Sequence, residues 1–289
     1  MSIEELKQIG RCKSFGGWIE TYTHFSKKCN CTMRFSLYLP PQMESGKSLI
    51  PALYWLSGLT CTDENFINKS GAMQYAAKHG IALIVPDTSP RGDDVPDDPN
   101  QDWDFGLGAG FYVNATETPW SKHYQMYDYI VNELPELIQS RFEKIDPKRK
   151  SIFGHSMGGH GAIMIALKNP GAYQSVSAFS PIVSPGSCPW GEKAFSNYLG
   201  SDPLKWQTYD SCQLIQSQPK ERLPLLIDQG QNDGFLKIQL QLEKIQAACQ
   251  EAGHPLTLRY HAGYDHSYFF ISSFIGEHIS YHAQALNIN

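Results

Sequence analysis

The sequence lacks a long apolar run, a surplus of basic residues and an apolar amino-terminal segment. None of its apolar stretches approaches the roughly 20 residues that a transmembrane helix needs. The formal net charge is −5, from 24 Lys and Arg against 29 Asp and Glu. This balance argues against nucleic acid as the main partner, because such partners require a basic face. The opening MSIEELKQIG carries two glutamates, so we expect no signal peptide and a cytoplasmic protein that is not bound to a membrane.

The seven cysteines lack the spacing of a disulfide framework or of a metal site. Cys29 and Cys31 form C-x-C rather than C-x-x-C, and no second pair lies at the spacing of a structural zinc site. A chain of 289 residues that is 41% hydrophobic can bury a core without cross-links. We therefore expect reduced thiols and no bound metal.

Dense apolar runs alternate with amphipathic runs along most of the chain. IPALYWLSG, IALIVPD, SIFGHS, SVSAFSP and LPLLIDQG are typical of strands buried on both faces of a parallel sheet. GGWIETYTHFS and CTMRFSLYLP alternate polar and apolar residues instead, which indicates antiparallel strands near the amino terminus. The pattern predicts an α/β fold with a mostly parallel central sheet, antiparallel N-terminal strands and helices on both faces.

No repeat, low-complexity tract or linker divides the chain, so we expect one domain over residues 1–289. Residues 181–222 have the composition of an insertion of short helices. Residues 88–119 are rich in Asp, Gly and Pro and predict a long loop, which Trp103, Phe105 and Phe111 should keep ordered.

Gly154-His155-Ser156-Met157-Gly158 fits the pattern G-x-S-x-G between a short apolar strand and an apolar-periodic helix. That context is typical of a nucleophile elbow, a sharp turn that raises the serine hydroxyl above the ends of the strands. Glycine is needed on both sides because larger side chains would collide across the bend. We predict Ser156 as the nucleophile and the N–H of Met157 as one oxyanion donor.

A serine nucleophile needs a base and an acid that orients the base, here in the chain order serine, acid, histidine. His266 lies in a loop between the strand LTLRY and the last helix and is the first candidate for the base. His261, at the end of that strand, is the second. Asp233, within a loop, is favoured as the acid over Asp228, which ends the preceding strand.

The second oxyanion donor should come from the loop after an earlier central strand. LYWLSGLTCTDENF places Gly58 and Leu59 in such a loop, and the N–H of Leu59 is the predicted donor. The alternative is an ordinary strand–helix turn with Thr62 or Asp63 as the N-cap. His278 and His282, one helical turn apart, are expected on a solvated helix face.

Six motifs extend the pattern over nearly the whole chain, from about residue 12 onward: GLTCTDENF, DWDFGLGAGFYVNAT, GHSMGGHGA, CPWGEKAF, DQGQNDGFL and GYDHSYFFI. In this order they resemble the S-formylglutathione hydrolase (esterase D) family. The resemblance implies an α/β-hydrolase fold, a homodimer and no cofactor. It also implies hydrolysis of S-formylglutathione to glutathione and formate, with small carboxylic esters as further substrates, and Ser156, Asp233 and His266 as the catalytic residues.

The substrate pocket that the resemblance implies has four candidate residues. Glutathione carries two carboxylates, so we expect a cation nearby, and the insertion with Trp190 and Lys193 is a candidate wall. Cys61, two residues past Leu59, and Trp103 are further candidates. Three rival functions stay open: a general short-chain carboxylesterase, an acyltransferase and a non-catalytic binding protein of the same fold.

Overall fold

A computed structural model of the chain describes residues 6–45, 48–217 and 222–286. Nine strands occur within these ranges. The strands are β1 (Lys7–Ser14), β2 (Gly17–Ser26), β3 (Cys31–Leu39), β4 (Ile50–Leu56), β5 (Ala82–Pro86), β6 (Ile145–His155), β7 (Val176–Phe179), β8 (Leu225–Gly230) and β9 (Leu256–His261).

Eleven α-helices occur in the same ranges. The helices are α1 (Gln42–Ser45), α2 (Asp63–Lys69), α3 (Ala72–His79), α4 (Met126–Asp128), α5 (Leu134–Arg141), α6 (Met157–Lys168), α7 (Pro189–Leu199), α8 (Pro203–Trp206), α9 (Ser211–Ser217), α10 (Leu242–Ala252) and α11 (Tyr268–Ala285). A π-helical turn joins α4 to α5, and Pro135 lies in the first turn of α5. None of the described helices is long and apolar enough to cross a bilayer.

The strands form a single sheet in the order β1-β2-β3-β5-β4-β6-β7-β8-β9. Strands β1, β2, β3 and β5 pair antiparallel, and every pair from β5-β4 to β8-β9 is parallel. The predicted fold class is confirmed. Sequence patterning missed β1 because its residues, KQIGRCKS, are mostly exposed and carry no apolar alternation; this strand forms the outer edge of the sheet.

Strands β4, β5, β7 and β8 are buried on both faces, which explains their unbroken apolar sequences. All seven residues of β4 are buried. Leu53 and Trp55 pack in one core with α2, α3 and α11, whereas Tyr54 and Leu56 pack in another with α6, α7 and α10. Successive residues of a strand point to opposite faces, so a strand covered on both sides needs apolar residues at every position.

The last helix, α11, packs onto the sheet with two histidines inward. His278 and His282 are fully buried. The Ser177 Oγ lies 2.8 Å from His278 Nδ1 and 2.8 Å from His282 Nε2, and the Ser175 Oγ lies 2.7 Å from His282 Nδ1. The expectation of a solvated face was wrong because serines of and beside β7 supply the polar partners that let these rings be buried.

The buried ring of His160 on α6 makes stability depend on pH. It is fully buried beside Phe111 and Phe195, with ring centroids 6.3 and 6.2 Å away. Burial lowers the pKa of His160 to about 3, whereas an unfolded histidine titrates at about 6.5. As the pH falls, His160 is protonated in the unfolded chain before it is protonated in the folded protein. Protonation therefore favours the unfolded state, so the unfolding free energy is highest above about pH 6.5 and decreases below it.

We predict that this histidine alone removes about 2 kcal/mol of unfolding free energy between pH 7 and pH 5. Urea unfolding of the wild type and of His160→Leu at these two pH values measures it. The variant should lose less stability than the wild type over that interval. Equal losses in the two proteins would contradict the prediction.

Candidate active site

Ser156 occupies the sharp turn between β6, which ends at His155, and α6, which begins at Met157. Its φ is 58° and its ψ is −120°, a conformation that side-chain-bearing residues rarely adopt. Three backbone hydrogen bonds hold it: the Ser156 N–H donates to the Phe179 carbonyl at 3.0 Å, and the Ser156 carbonyl accepts from the N–H of His160 at 3.0 Å and from that of Ile182 at 3.2 Å. The predicted strand–turn–helix context is therefore present.

Glycines around the turn let the strands and the helix approach closely. A Cβ at Gly154 would collide with the Gly158 carbonyl, and a Cβ at Gly158 would collide with the Leu56 carbonyl at the end of β4. A Cβ at Gly58 would lie only 3.0 Å from the Cβ of Ser156. The loop after β4 is thus pressed against the serine.

That loop is fixed on both sides of Leu59. The Tyr112 hydroxyl donates to the Ser57 carbonyl at 2.9 Å, and the Thr60 N–H donates to the Gly108 carbonyl at 2.9 Å. Thr62 caps α2 by accepting from the Glu64 N–H at 3.2 Å. The loop therefore contains both the close approach at Gly58 and the capped turn that sequence patterning offered as its alternative.

An acid and a histidine meet beside this turn. His266 Nδ1 lies 2.6 Å from Asp233 Oδ2. The carboxylate also accepts from the Gln229 amide at 3.0 Å and from the Phe235 N–H at 2.9 Å. Burial acts to raise the pKa of Asp233, but His266 and these donors outweigh it and lower the pKa. Asp233 is therefore ionised at neutral pH and holds one ring nitrogen of His266.

The alternative acid, Asp228, belongs to a separate cluster. Its carboxylate accepts from Arg259 Nε at 2.6 Å and from Arg259 Nη2 at 2.7 Å. His278 Nε2 lies 3.2 Å from Asp228 Oδ2. His261, the second candidate for the base, lies beside the same oxygen, with its Nε2 3.3 Å away. The two first candidates, Asp233 and His266, therefore pair with each other, whereas the second candidates, Asp228 and His261, lie together in a cluster in which Arg259 binds Asp228.

A cavity of about 790 Å³ opens over Ser156 and His266. It contains the predicted oxyanion residue Leu59 and three of the four predicted pocket residues. The lining residues are Gly58, Leu59, Thr60, Cys61, Asn65, Lys69, Trp103, His155, Ser156, Trp190, Phe235, His266, Ser267, Tyr268, Phe269 and Ser272.

Aromatic rings form one wall of the cavity and reach His266. Trp103 and Trp190 meet edge to face with centroids 5.4 Å apart, and Trp190 lies 4.7 Å from Phe235. Phe235 in turn packs edge to face on the His266 ring at 5.1 Å. The wall therefore packs against His266 through Phe235, and it presents apolar surface to a bound molecule.

Lys193, the fourth predicted pocket residue, does not belong to the described lining, and its prediction as a pocket cation is corrected. Its ammonium forms ion pairs with Asp98, Asp102 and Asp104 at 2.9, 2.8 and 2.7 Å. Within the described residues, these three carboxylates lie close enough together to bind one cation. The lysine supplies that cation, and it ties α7 to the loop that carries Trp103.

Sequence reasoning missed the side of the cavity built by α2 and α11. Asn65 and Lys69 of α2 line it, as do Tyr268 and Ser272 of α11. A signal was available, because Asn65 and Lys69 stand four residues apart on a helix that directly follows the predicted oxyanion loop.

The comparisons with known proteins agree with this geometry. Residues 26–281 match the esterase family described as "Putative esterase". The S-formylglutathione hydrolase of Rattus norvegicus is 55% identical over 284 residues, which cover 98% of this chain and 99% of that protein. The chain belongs to the S-formylglutathione hydrolase family.

Two further members of the S-formylglutathione hydrolase family support the assignment. The Mus musculus protein of that name is 55% identical over 283 residues, covering 98% of this chain and 99% of its own length. A solved structure of an S-formylglutathione hydrolase from Agrobacterium tumefaciens superposes with a TM-score of 0.93 at 46% identity, covering 96% of this chain and 99% of that one. The chain is a hydrolase of the α/β type.

Replacing Gly158 by alanine should disrupt the turn. Its Cβ would collide with backbone atoms of Leu56 and Ser57, which cannot move without shifting β4. We expect Gly158→Ala to lose more than about 4 kcal/mol of unfolding free energy or to fail to fold. Gly234→Ala is the matched control, because a Cβ there meets nothing within 4 Å. A Gly158→Ala protein as stable as the control in urea would contradict the close approach.

Replacing Lys193 by methionine should loosen the aromatic wall. It leaves the buried Asp98 without its cation, and we expect a loss of roughly 2 kcal/mol of unfolding free energy. Lys205→Met is the matched control, since among the described residues that lysine of α8 makes one ion pair, to Glu117 at 3.9 Å. Thermal unfolding of the two variants measures the difference, and an equal shift in both would contradict the role given to Lys193.

Proposed function

We propose that the chain hydrolyses S-formylglutathione to glutathione and formate through a formyl-serine intermediate. Ser156 is the nucleophile, His266 the base and Asp233 the acid that orients it. The observation that carries this proposal is that Ser156 and His266 line one cavity while Asp233 lies 2.6 Å from His266 Nδ1. The substrate follows from the names of relatives that are 55% identical over nearly the whole chain.

The proposed reaction has two halves. Because Nδ1 of His266 is bonded to Asp233, Nε2 is the nitrogen that takes the proton of Ser156 as Oγ attacks the formyl carbonyl. The tetrahedral intermediate then breaks its carbon–sulfur bond, and the glutathione sulfur leaves with the proton from His266. In the second half a water molecule gives its proton to His266, attacks the formyl-serine and releases formate, and the proton returns to Ser156.

Two backbone N–H groups are proposed to stabilise the negative oxygen of each intermediate. The N–H of Met157 follows the nucleophile at the start of α6, where the helix dipole also favours negative charge. The N–H of Leu59 comes from the loop that Gly58 brings against Ser156. Preorganised donors of this kind typically contribute about 10²–10³ in rate each.

A general short-chain carboxylesterase is the alternative. The aromatic wall and the size of the cavity favour it, because about 790 Å³ far exceeds a formyl group and Trp103 is 54% exposed at its edge. The Lys69 side of the same cavity favours an anionic leaving group instead.

We also propose a cytoplasmic homodimer without a cofactor, on the family resemblance alone. Small esters are proposed as further substrates, and nucleic acid and membranes are not proposed as partners.

Replacing Ser156 by alanine should abolish turnover. We expect kcat for S-formylglutathione to fall by about 10⁶ and labelling by a fluorophosphonate probe to disappear. Ser273→Ala is the control, because its hydroxyl bonds the Phe269 carbonyl at 2.7 Å outside the cavity lining. Retained activity or labelling in Ser156→Ala would overturn the assignment of the nucleophile.

The ratio of kcat/KM for S-formylglutathione to that for p-nitrophenyl acetate separates the two candidate functions. A ratio well above one supports the thioesterase, and a ratio below one supports the carboxylesterase. Formation of methyl formate in the presence of methanol would reveal acyl transfer.

A further inference from the structure

The cavity over Ser156 has an uneven charge distribution. Among the described residues that line the cavity, Lys69 is the one Lys or Arg, and none is Asp or Glu. No carboxylate within the described ranges forms an ion pair with the Lys69 ammonium. Lys193 contrasts with it, since three aspartates surround that ammonium. Lys69 therefore keeps an uncompensated positive charge at the cavity.

Asn65 stands beside Lys69 on the same face of α2. Residues four apart on a helix are neighbours, and both line the cavity. The Asn65 Oδ1 accepts from the Thr62 N–H at 3.0 Å in the capping box of the helix. That bond fixes the orientation of the amide and leaves its Nδ2 group to donate. An ammonium and an amide N–H₂ together are suited to an anion with two oxygens, such as a carboxylate.

The position of Lys69 suits the leaving group rather than the acyl group. Lys69 lies in the last turn of α2, which begins four residues after Leu59, and it lines the same cavity as Ser156 and His266. In glutathione the thiol belongs to the central cysteine, and one carboxylate lies toward each end of the tripeptide. A thioester whose acyl carbon is at Ser156 therefore places its carboxylates elsewhere in the cavity, where Lys69 can bind one of them.

We propose that Lys69, assisted by Asn65, binds a carboxylate of the glutathione leaving group and so sets the preference for the thioester over neutral esters. This inference rests on the proposed function. Lys69 acts as a specificity-determining residue: it touches the part of the substrate that does not react. Because Lys69 contacts a part of the substrate that does not react, its effect falls mainly on KM. Because its side chain is exposed, the effect weakens as the salt concentration rises.

Lys69 also has structural contacts that a substitution would remove. It lies in the last turn of α2, where a cation is favoured by the helix dipole. Its ammonium lies 5.8 Å from the centroid of the Tyr268 ring. Loss of these contacts would change the hydrolysis of all substrates alike, whereas loss of a carboxylate contact changes only that of anionic ones.

The test compares three substrates in Lys69→Met and the wild type: S-formylglutathione, the S-formyl derivative of glutathione diethyl ester, and p-nitrophenyl acetate. We expect kcat/KM for S-formylglutathione to fall about five- to tenfold, chiefly through KM. The two neutral-carboxyl substrates should change less than about twofold. Lys69→Arg should recover most of the loss. The control is Lys78→Met, a lysine in the last turn of α3 that lines a different groove.

A second measurement is the inhibition of p-nitrophenyl acetate hydrolysis by glutathione. The inhibition constant reports how well the cavity binds the carboxylates of glutathione, and no formyl group needs to be transferred. The inhibition constant should rise about five- to tenfold in Lys69→Met and stay unchanged in Lys78→Met. Equal effects on all three substrates, or an unchanged inhibition constant, would overturn the inference while leaving the proposed function intact. A wild type that hydrolyses p-nitrophenyl acetate but not S-formylglutathione would instead overturn the proposed function.

Discussion

A backbone turn held at positive φ between a buried strand and a buried helix is the constraint on which the site depends. Ser156 can hold that conformation because hydrogen bonds to Phe179 and His160 anchor it from both sides. The absence of side chains at Gly154 and Gly158 lets α6 approach the ends of β4 and β6. The same close approach brings the loop at Gly58 against Ser156, beside the start of α6 at Met157, so the proposed nucleophile and the proposed oxyanion donors depend on one packing arrangement.

Parallel strand order collects the remaining residues at one edge of the sheet. Leu59 follows β4, Ser156 follows β6, Asp233 follows β8 and His266 follows β9. The carboxyl ends of parallel strands meet at a common edge, which is where open α/β sheets place their binding sites. Each residue is only a loop residue in the sequence, and the sheet makes them neighbours.

Charge is distributed around this edge in two different ways. Asp228, Arg259 and His278 form a compensated cluster, and Lys193 is neutralised by three aspartates. These groups hold elements together. The Asp233–His266 pair reaches the cavity, and Lys69 faces it with no ion pair among the described residues. Charge that is compensated inside the fold supports structure, whereas charge directed at the cavity remains for a bound molecule.

The sequence by itself determined the α/β class, the elbow and the first choices for acid and base, because these depend on local patterns: apolar strands, flanking glycines and position after a strand. It did not determine β1, the burial of His278 and His282, or the partner of Lys193. An edge strand needs no apolar face, His278 and His282 are buried against the hydroxyls of Ser175 and Ser177, and Lys193 meets Asp102 across 91 positions of chain. Only tertiary structure decided these, because a polar side chain takes its role from the groups that packing places around it.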